Sequence, residues 1–312
     1  MRLRLLPDKP NFVFMRWRVA CFAVSAVLVV LSAVIAVWPG LNYGIDFEGG
    51  ILIEVKTPGP ADLGTMRQRL NELGLGQVAL QEFGAPDDVL IRVQRQEGDE
   101  GAQQQAVETV KVELAQLVGE DVTFRRTEFV GPKVSEELLQ EGLLAVGLAL
   151  VFVLIYIWFR FEWQYGVGAI VALVHDVVMT IGMFAVTGLE VNLSTVAAVL
   201  TIVGYSLNDT VVIFDRVREN LRRYKTLPII ELIDQSINET LARTLMTSLT
   251  TLIALLSLFF FGGEVVKGFT FAMIWGIVIG TYSTIYIASP VLIYLDLRSI
   301  GQKKAADASQ PG

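Results

Sequence analysis

Tyr205-Ser-Leu-Asn-Asp-Thr-Val-Val-Ile-Phe-Asp-Arg-Val-Arg-Glu-Asn220 begins inside one of the longest apolar runs of the chain and ends in a cluster of charge. Such a run reads as a helix crossing a lipid bilayer, and its charged end as the boundary with water. With that boundary at Asp215–Arg216, six residues of helix place Asp209 about 9 Å inside the hydrocarbon. A carboxylate there costs about 2.5–3.5 kcal/mol on insertion scales, and it faces a bundle interior or a water path. Asp209 is therefore either a functional carboxylate or one end of a helix-pairing hydrogen bond, with Asn208 and Thr210 as helpers.

Composition agrees with a membrane setting. Of 312 residues 53% are hydrophobic, too many for an ordinary soluble domain. The net charge of −7 is unevenly placed. Residues 39–142 hold 9 Lys and Arg against 19 Asp and Glu, a balance of −10, and the remainder holds 16 against 13, or +3. An acidic insert thus sits in a mildly basic apolar framework. Cys21 and His175 are each the one residue of their type. Neither a disulfide nor a thiolate or imidazole metal cluster can be built from them, so no cofactor or metal is expected, and a zinc enzyme or papain-like hydrolase is argued against. The basic residues gather at membrane edges, where topology accounts for them. Membrane lipid is the expected surroundings, and nucleic acid is not an expected partner.

Taken from the start, residues 1–18 form a basic segment and Val19–Trp38 a first span. Residues 39–142 form a separate domain. Its turn-rich lead ends in Gly49 and Gly50, which tolerate backbone shapes other residues resist. Strands are predicted at Ile51–Val55, Val78–Phe83, Val89–Val93 and Val122–Val130, with a turn over Gly84–Asp88. Helices are predicted at Asp62–Leu75, with Leu63, Met66, Leu70 and Leu73 on one face, and at Ala106–Val118, with Val107, Val110, Leu114 and Leu117. The order is βαββαβ, the ferredoxin-like motif, so the predicted fold is a six-helix transmembrane bundle with one inserted α+β domain. The carboxylates of that domain read as a solvated surface.

Five more spans are expected within 143–295, at Leu143–Phe159, Gly166–Thr187, Leu193–Phe214, Leu245–Phe261 and Phe269–Leu295. A basic link over 216–243 joins the fourth span to the fifth, and a tail follows over 296–312. Arg216, Arg218, Arg222, Arg223, Lys225 and the tail's Arg298, Lys303 and Lys304 fall on one side if both termini are cytoplasmic. The acidic domain 39–142 then faces outward.

Asp176 lies near the middle of the third span beside His175, and Arg243 enters the fifth. Antiparallel fourth and fifth spans bring Asp209 and Arg243 to similar depth, and Thr247, Thr250 and Thr251 continue the polar face beyond Arg243. Burial and a nearby arginine act in opposite directions on a carboxylate, so a group balanced between them can take and release a proton. Asp209 is the candidate proton-carrying residue, Arg243 its tuning charge and Asp176 a weaker candidate. His175 is either a relay or a hydrogen-bonded interhelical residue. Gly276-Ile-Val-Ile-Gly280 reads as a close-packing stripe.

Several blocks resemble the SecD/SecF family of bacterial protein-export membrane proteins, in its SecF branch. They are Leu41-Asn-Tyr-Gly-Ile-Asp-Phe-Glu-Gly-Gly50, Val130-Gly-Pro-Lys-Val134, His175-Asp-Val177, the 205–220 stretch, residues 237–251 and Val266-Lys-Gly-Phe269. The resemblance implies membership of the resistance–nodulation–division superfamily and an inner-membrane location with a periplasmic domain. It implies SecD as partner and proton flow that assists translocation of a preprotein through SecYEG. It also places an acid of the fourth span and an arginine of the fifth, here Asp209 and Arg243, on the proton path. The residues alone leave other functions open: a small-molecule or lipid exporter subunit, a passive scaffold, or an intramembrane aspartic protease with Asp176 and Asp209 as its dyad.

Overall fold

The computed structural model describes residues 10–295 and 297, apart from 77, 97, 99 and 120. A 3₁₀ turn at Phe14–Trp17 leads into α1 (Arg18–Val37). Then come β1 (Asn42–Tyr43), α2 (Ile45–Glu48), β2 (Gly50–Lys56), α3 (Leu63–Asn71), β3 (Val78–Phe83), β4 (Ala85–Val93), α4 (Glu100–Val118) and β5 (Thr123–Val130). The second half holds α5 (Pro132–Arg160), α6 (Trp163–Thr187), β6 (Glu190–Val191), α7 (Leu193–Arg223), α8 (Ile229–Phe261), α9 (Glu264–Ser283), a π turn at Thr284–Ala288 and α10 (Ser289–Tyr294). Six helices are long and apolar enough to cross a membrane, the sixth running through the π turn. The tail expected over 296–312 lies outside the described residues except for Leu297, and so do residues 1–9.

The small domain is a four-stranded antiparallel sheet in the order β3-β4-β2-β5. Alternation along β2 sends Ile51, Ile53 and Val55 to one face and Leu52 to the other. On the first face they meet Met66 and Leu70 of α3 and Val107, Val110 and Leu114 of α4. Fully burying each large apolar side chain here contributes roughly 1.5–3 kcal/mol. The glycine pair entering β2 has φ of +72° at Gly49 and +122° at Gly50, and a side chain at 50 would press on the Val93 carbonyl. β4 is longer than expected. It starts straight after Gly84, because the Pro86 and Asp87 carbonyls accept from the Ala61 and Thr57 amides instead of ending the strand.

The membrane helices also outrun their apolar cores. α5 begins at Pro132, eleven residues before the expected Leu143. The link expected over 216–243 is helical except for 224–228. Charge does not end a helix, and Arg222 and Arg223 suit the C-terminal turn of α7. What interrupts the pattern is Pro228, which sits at the N-cap of α8. Gly276 and Gly280 let α9 lie against α7: a methyl at 276 would overlap Ile202, and one at 280 would stand 3.1 Å from the Ser206 Cβ.

One further joint links the two halves. The short connector between α6 and α7 supplies β6, which pairs in parallel with β1. Arg92 of the small domain reaches Glu190 at 2.7 Å and Asn42 Oδ1 at 2.9 Å, while the Leu193 amide donates to Asp46 Oδ2 at 2.9 Å. Gly44 leaves the room that the Glu190 carboxyl occupies. Burial pushes that carboxyl above the usual range, Arg92 pulls it down and Asp46 raises it, with burial the larger effect despite the ion pair. Because the folded-state value is raised, the fold favours the protonated form, and Arg92 offsets what ionisation costs. Arg92→Met should therefore loosen the joint by about 2 kcal/mol at mildly alkaline pH, between the values for exposed and fully buried pairs. The loss should shrink as pH falls and Glu190 takes up its proton. Hydrogen exchange at the Gly44 amide, which donates to the Val191 carbonyl at 2.9 Å, followed against pH, measures it.

Candidate functional site

The polar interior of the bundle centres on Asp176, near the middle of α6 and 0% exposed. Its Oδ2 accepts from Ser206 of α7 at 2.6 Å and from Ser283 of α9 at 2.8 Å. His175 Nδ1 lies 2.9 Å from Oδ1. The His175 ring also packs against Tyr282, with ring centroids 6.1 Å apart. Neighbouring the Ser206 contact, Thr210 Oγ1 meets Thr284 Oγ1 at 2.8 Å.

These contacts belong to a wider pattern. Residues 281–284 of the sixth span are Thr-Tyr-Ser-Thr, four hydroxyls in a row. Successive helical residues point about 100° apart, so the four fan outward to four helices. Thr281 meets Ser248 of α8 at 3.0 Å, Tyr282 meets Ser25 of α1 at 2.8 Å, Ser283 meets Asp176 of α6, and Thr284 meets Thr210 of α7. The π turn begins at the last of them. Pro290 has no N–H to donate to a helical carbonyl, and the displaced register is stabilised by Ser289, whose amide and hydroxyl both donate to the Thr284 carbonyl.

Asp209 is also buried, at 2% exposure, but accepts no hydrogen bond among the described residues. Arg243 lies on α8 with its side chain exposed, and among the described residues it forms no ion pair with Asp209. The expected neighbours separate. Thr210 turns into the core, whereas Asn208 is exposed on the outer side of α7. Thr247 bonds back to the Arg243 and Thr244 carbonyls of its own helix. Thr251 accepts from Tyr205 of α7 at 3.5 Å, and the buried Thr244 hydroxyl has no partner among the described residues. Asp176 and Asp209 share no hydrogen bond, as a protease dyad would. The donors Ser206, Ser283, Thr284 and Tyr282 were not singled out from the pattern of charge. A run of hydroxyls inside an apolar span is the signal that marks three of them.

An α-helical membrane protein with six candidate spans, a polar network at their centre and one small sheet domain is the class these features define. Residues 109–298 match the family model of the protein export membrane protein SecD/SecF, C-terminal, and residues 39–57 match the SecD/SecF GG motif. The chain is 46% identical to the protein translocase subunit SecF of Rhodobacter capsulatus, covering 97% of this chain and 94% of that one. It is 46% identical to its counterpart in Rickettsia bellii, covering 93% and 95%. A crystal structure of SecDF, a translocon-associated membrane protein from Thermus thermophilus, superposes with a TM-score of 0.84 at 36% identity. That match covers 95% of this chain but only 40% of the longer SecDF chain. The chain belongs to the SecD/SecF family, in its SecF branch, and serves Sec-pathway protein export as a transport component rather than a catalytic enzyme.

Because Tyr282 bonds both Ser25 and the Cys21 carbonyl, it ties the otherwise exposed α1 to the core. Tyr282→Phe should cost about 1 kcal/mol, the scale of an interhelical hydrogen bond in a membrane. Unfolding of the detergent-solubilised chain by added denaturing surfactant reads that difference.

Proposed function

We propose that this chain pairs with SecD in the bacterial inner membrane, and that the complex uses proton flow to assist preprotein translocation through SecYEG. The observation that carries the reading is Asp209, a buried carboxylate with no hydrogen-bond donor among the described residues, on α7, which packs against the helix that bears Arg243. Such a group can gain a proton without displacing a donor, and movement of Arg243 relative to it changes which form is favoured. The SecDF relative, of which this chain matches 40%, supports a SecD partner, since both names belong to that single longer chain. The strand order β3-β4-β2-β5, with α3 and α4 on one face, supports a ferredoxin-like βαββαβ reading of the domain within 39–142.

The placement of Lys and Arg supports cytoplasmic termini, a periplasmic small domain and a cytoplasmic 224–228 turn. In a Cys21→Ser background, an impermeant thiol reagent added from outside should label Gln105→Cys and spare Lys225→Cys. Labelling of both positions, or of Lys225→Cys alone, contradicts this orientation.

The proton step is tested in inner-membrane vesicles holding equal amounts of each variant together with SecD. Asp209→Asn keeps size and hydrogen bonding but cannot ionise, so gradient-driven export should stop while assembly with SecD persists. Asp209→Glu should keep part of the activity. Arg243→Lys should lose about tenfold, more than charge alone implies, because the fixed donor fork disappears. Export by Asp209→Asn at the level of the unmodified chain would refute the mechanism.

A further inference from the structure

Asp176 and Asp209 are both buried carboxylates, yet their surroundings differ in kind. At Asp176 both oxygens hold polar partners: two serine hydroxyls on Oδ2 and the His175 ring on Oδ1. A proton arriving on Oδ2 would have to displace a serine hydroxyl. The serines come from α7 and α9, so the carboxylate of α6 is the point at which three helices are joined. Apolar packing in lipid restrains rotation of a helix about its axis only weakly, whereas a directional hydrogen bond fixes it.

Rotation of α7 matters because it sets the direction in which Asp209 points. Asp209 lies three residues beyond Ser206, about 60° around the helix and about 4.5 Å along it. Thr210, about 40° to the other side of Ser206, bonds Thr284. One flank of α7 is thus held on α6 and the sixth span, and Asp209 occupies the opposite flank. Gly280 seats α9 against Ser206, so the donors cannot drift far from the carboxylate.

We propose that Asp176, clamped by Ser206 and Ser283, is a positioning residue that fixes the rotation of α7 and so sets the direction in which Asp209 points, and that it is not a proton carrier. The proposal rests on the proton reading of Asp209, but its geometric part can be tested separately. The natural marker of α7 rotation is the Tyr205–Thr251 contact between α7 and α8.

Tyr205→Cys and Thr251→Cys, in a Cys21→Ser background, allow that contact to be read by a short thiol cross-linker in membranes containing SecD. Export is measured in parallel without the cysteine pair. Ser206→Ala combined with Ser283→Ala should lower cross-linking severalfold and gradient-driven export about tenfold, the scale of lost buried hydrogen bonds. Should the double variant fail to accumulate, Ser283→Ala alone is compared with Ser283→Thr, which keeps the hydroxyl and should restore both readouts. Asp176→Asn keeps an acceptor oxygen and should retain measurable export. Unchanged cross-linking in the alanine variants overturns the clamp. Abolished export in Asp176→Asn with cross-linking intact makes Asp176 a carrier and overturns the proposal as well. Asp209→Asn, run alongside, reports on the proton reading alone: it should stop export and leave the cross-link unaltered.

Discussion

A carboxylate placed among apolar helices is costly, and hydrogen bonds to its oxygens offset that cost, as the bundle arranges at Asp176. Ser206 and Ser283 meet it from two other helices, and the hydroxyls beside Ser283 extend the same solution outward to α1, α7 and α8. Burial of apolar side chains drives little association inside a bilayer, since lipid tails are as apolar as leucine. Directional polar contacts and close glycine-mediated approach therefore decide which helices touch and at what rotation. The Gly276 and Gly280 contacts with Ile202 and Ser206 show both devices on one helix pair.

Against that fixed centre, the α7–α8 pair is pinned near its charged ends, where Asn220 donates to Ser236 at 3.0 Å and to Glu239 at 2.9 Å, and is sparsely tied around Asp209. Among the described residues Asp209 lacks a donor and the Thr244 hydroxyl lacks a partner, and the α7–α8 hydrogen bond in this region is the long one between Tyr205 and Thr251. Buried polar groups without partners concentrate where a protein does chemistry or moves. The bundle thus combines a rigid polar knot on α6, α7 and α9 with a loosely satisfied seam one flank away. The outer faces of α1, α5 and α8 carry exposed Val27, Leu31, Leu148, Phe152, Leu249 and Ile253, a surface suited to lipid or to further helices.

The small domain is held to the bundle by a different kind of contact. Arg92, Glu190, Asn42 and Asp46 form a polar joint in which a two-residue parallel ladder is the only sheet pairing among the described residues that crosses between the halves. α5 adds a mechanical link, because one continuous helix runs from the end of β5 through to Arg160.

What the sequence determined by itself was whatever is local along the chain. Apolar length marked six spans, period-two and period-3.6 patterns marked the strands and helices of the insert, and the Gly49–Gly50 pair marked a backbone that other residues resist. The depth of Asp209 came from counting residues to the first arginine. Tertiary structure decided everything that depends on rotation about a helix axis. Spans such as α6 and α9 are apolar on nearly all sides, so no periodicity says which face meets which neighbour. That is why Asp176 became the anchored carboxylate, why Asn208 turned outward while Thr210 turned inward, and why Ser283 and Tyr282 emerged only in three dimensions. The charged ends of α7 and α8 were likewise hidden from composition: charge signals contact with water, but only a lost hydrogen bond or a proline ends a helix.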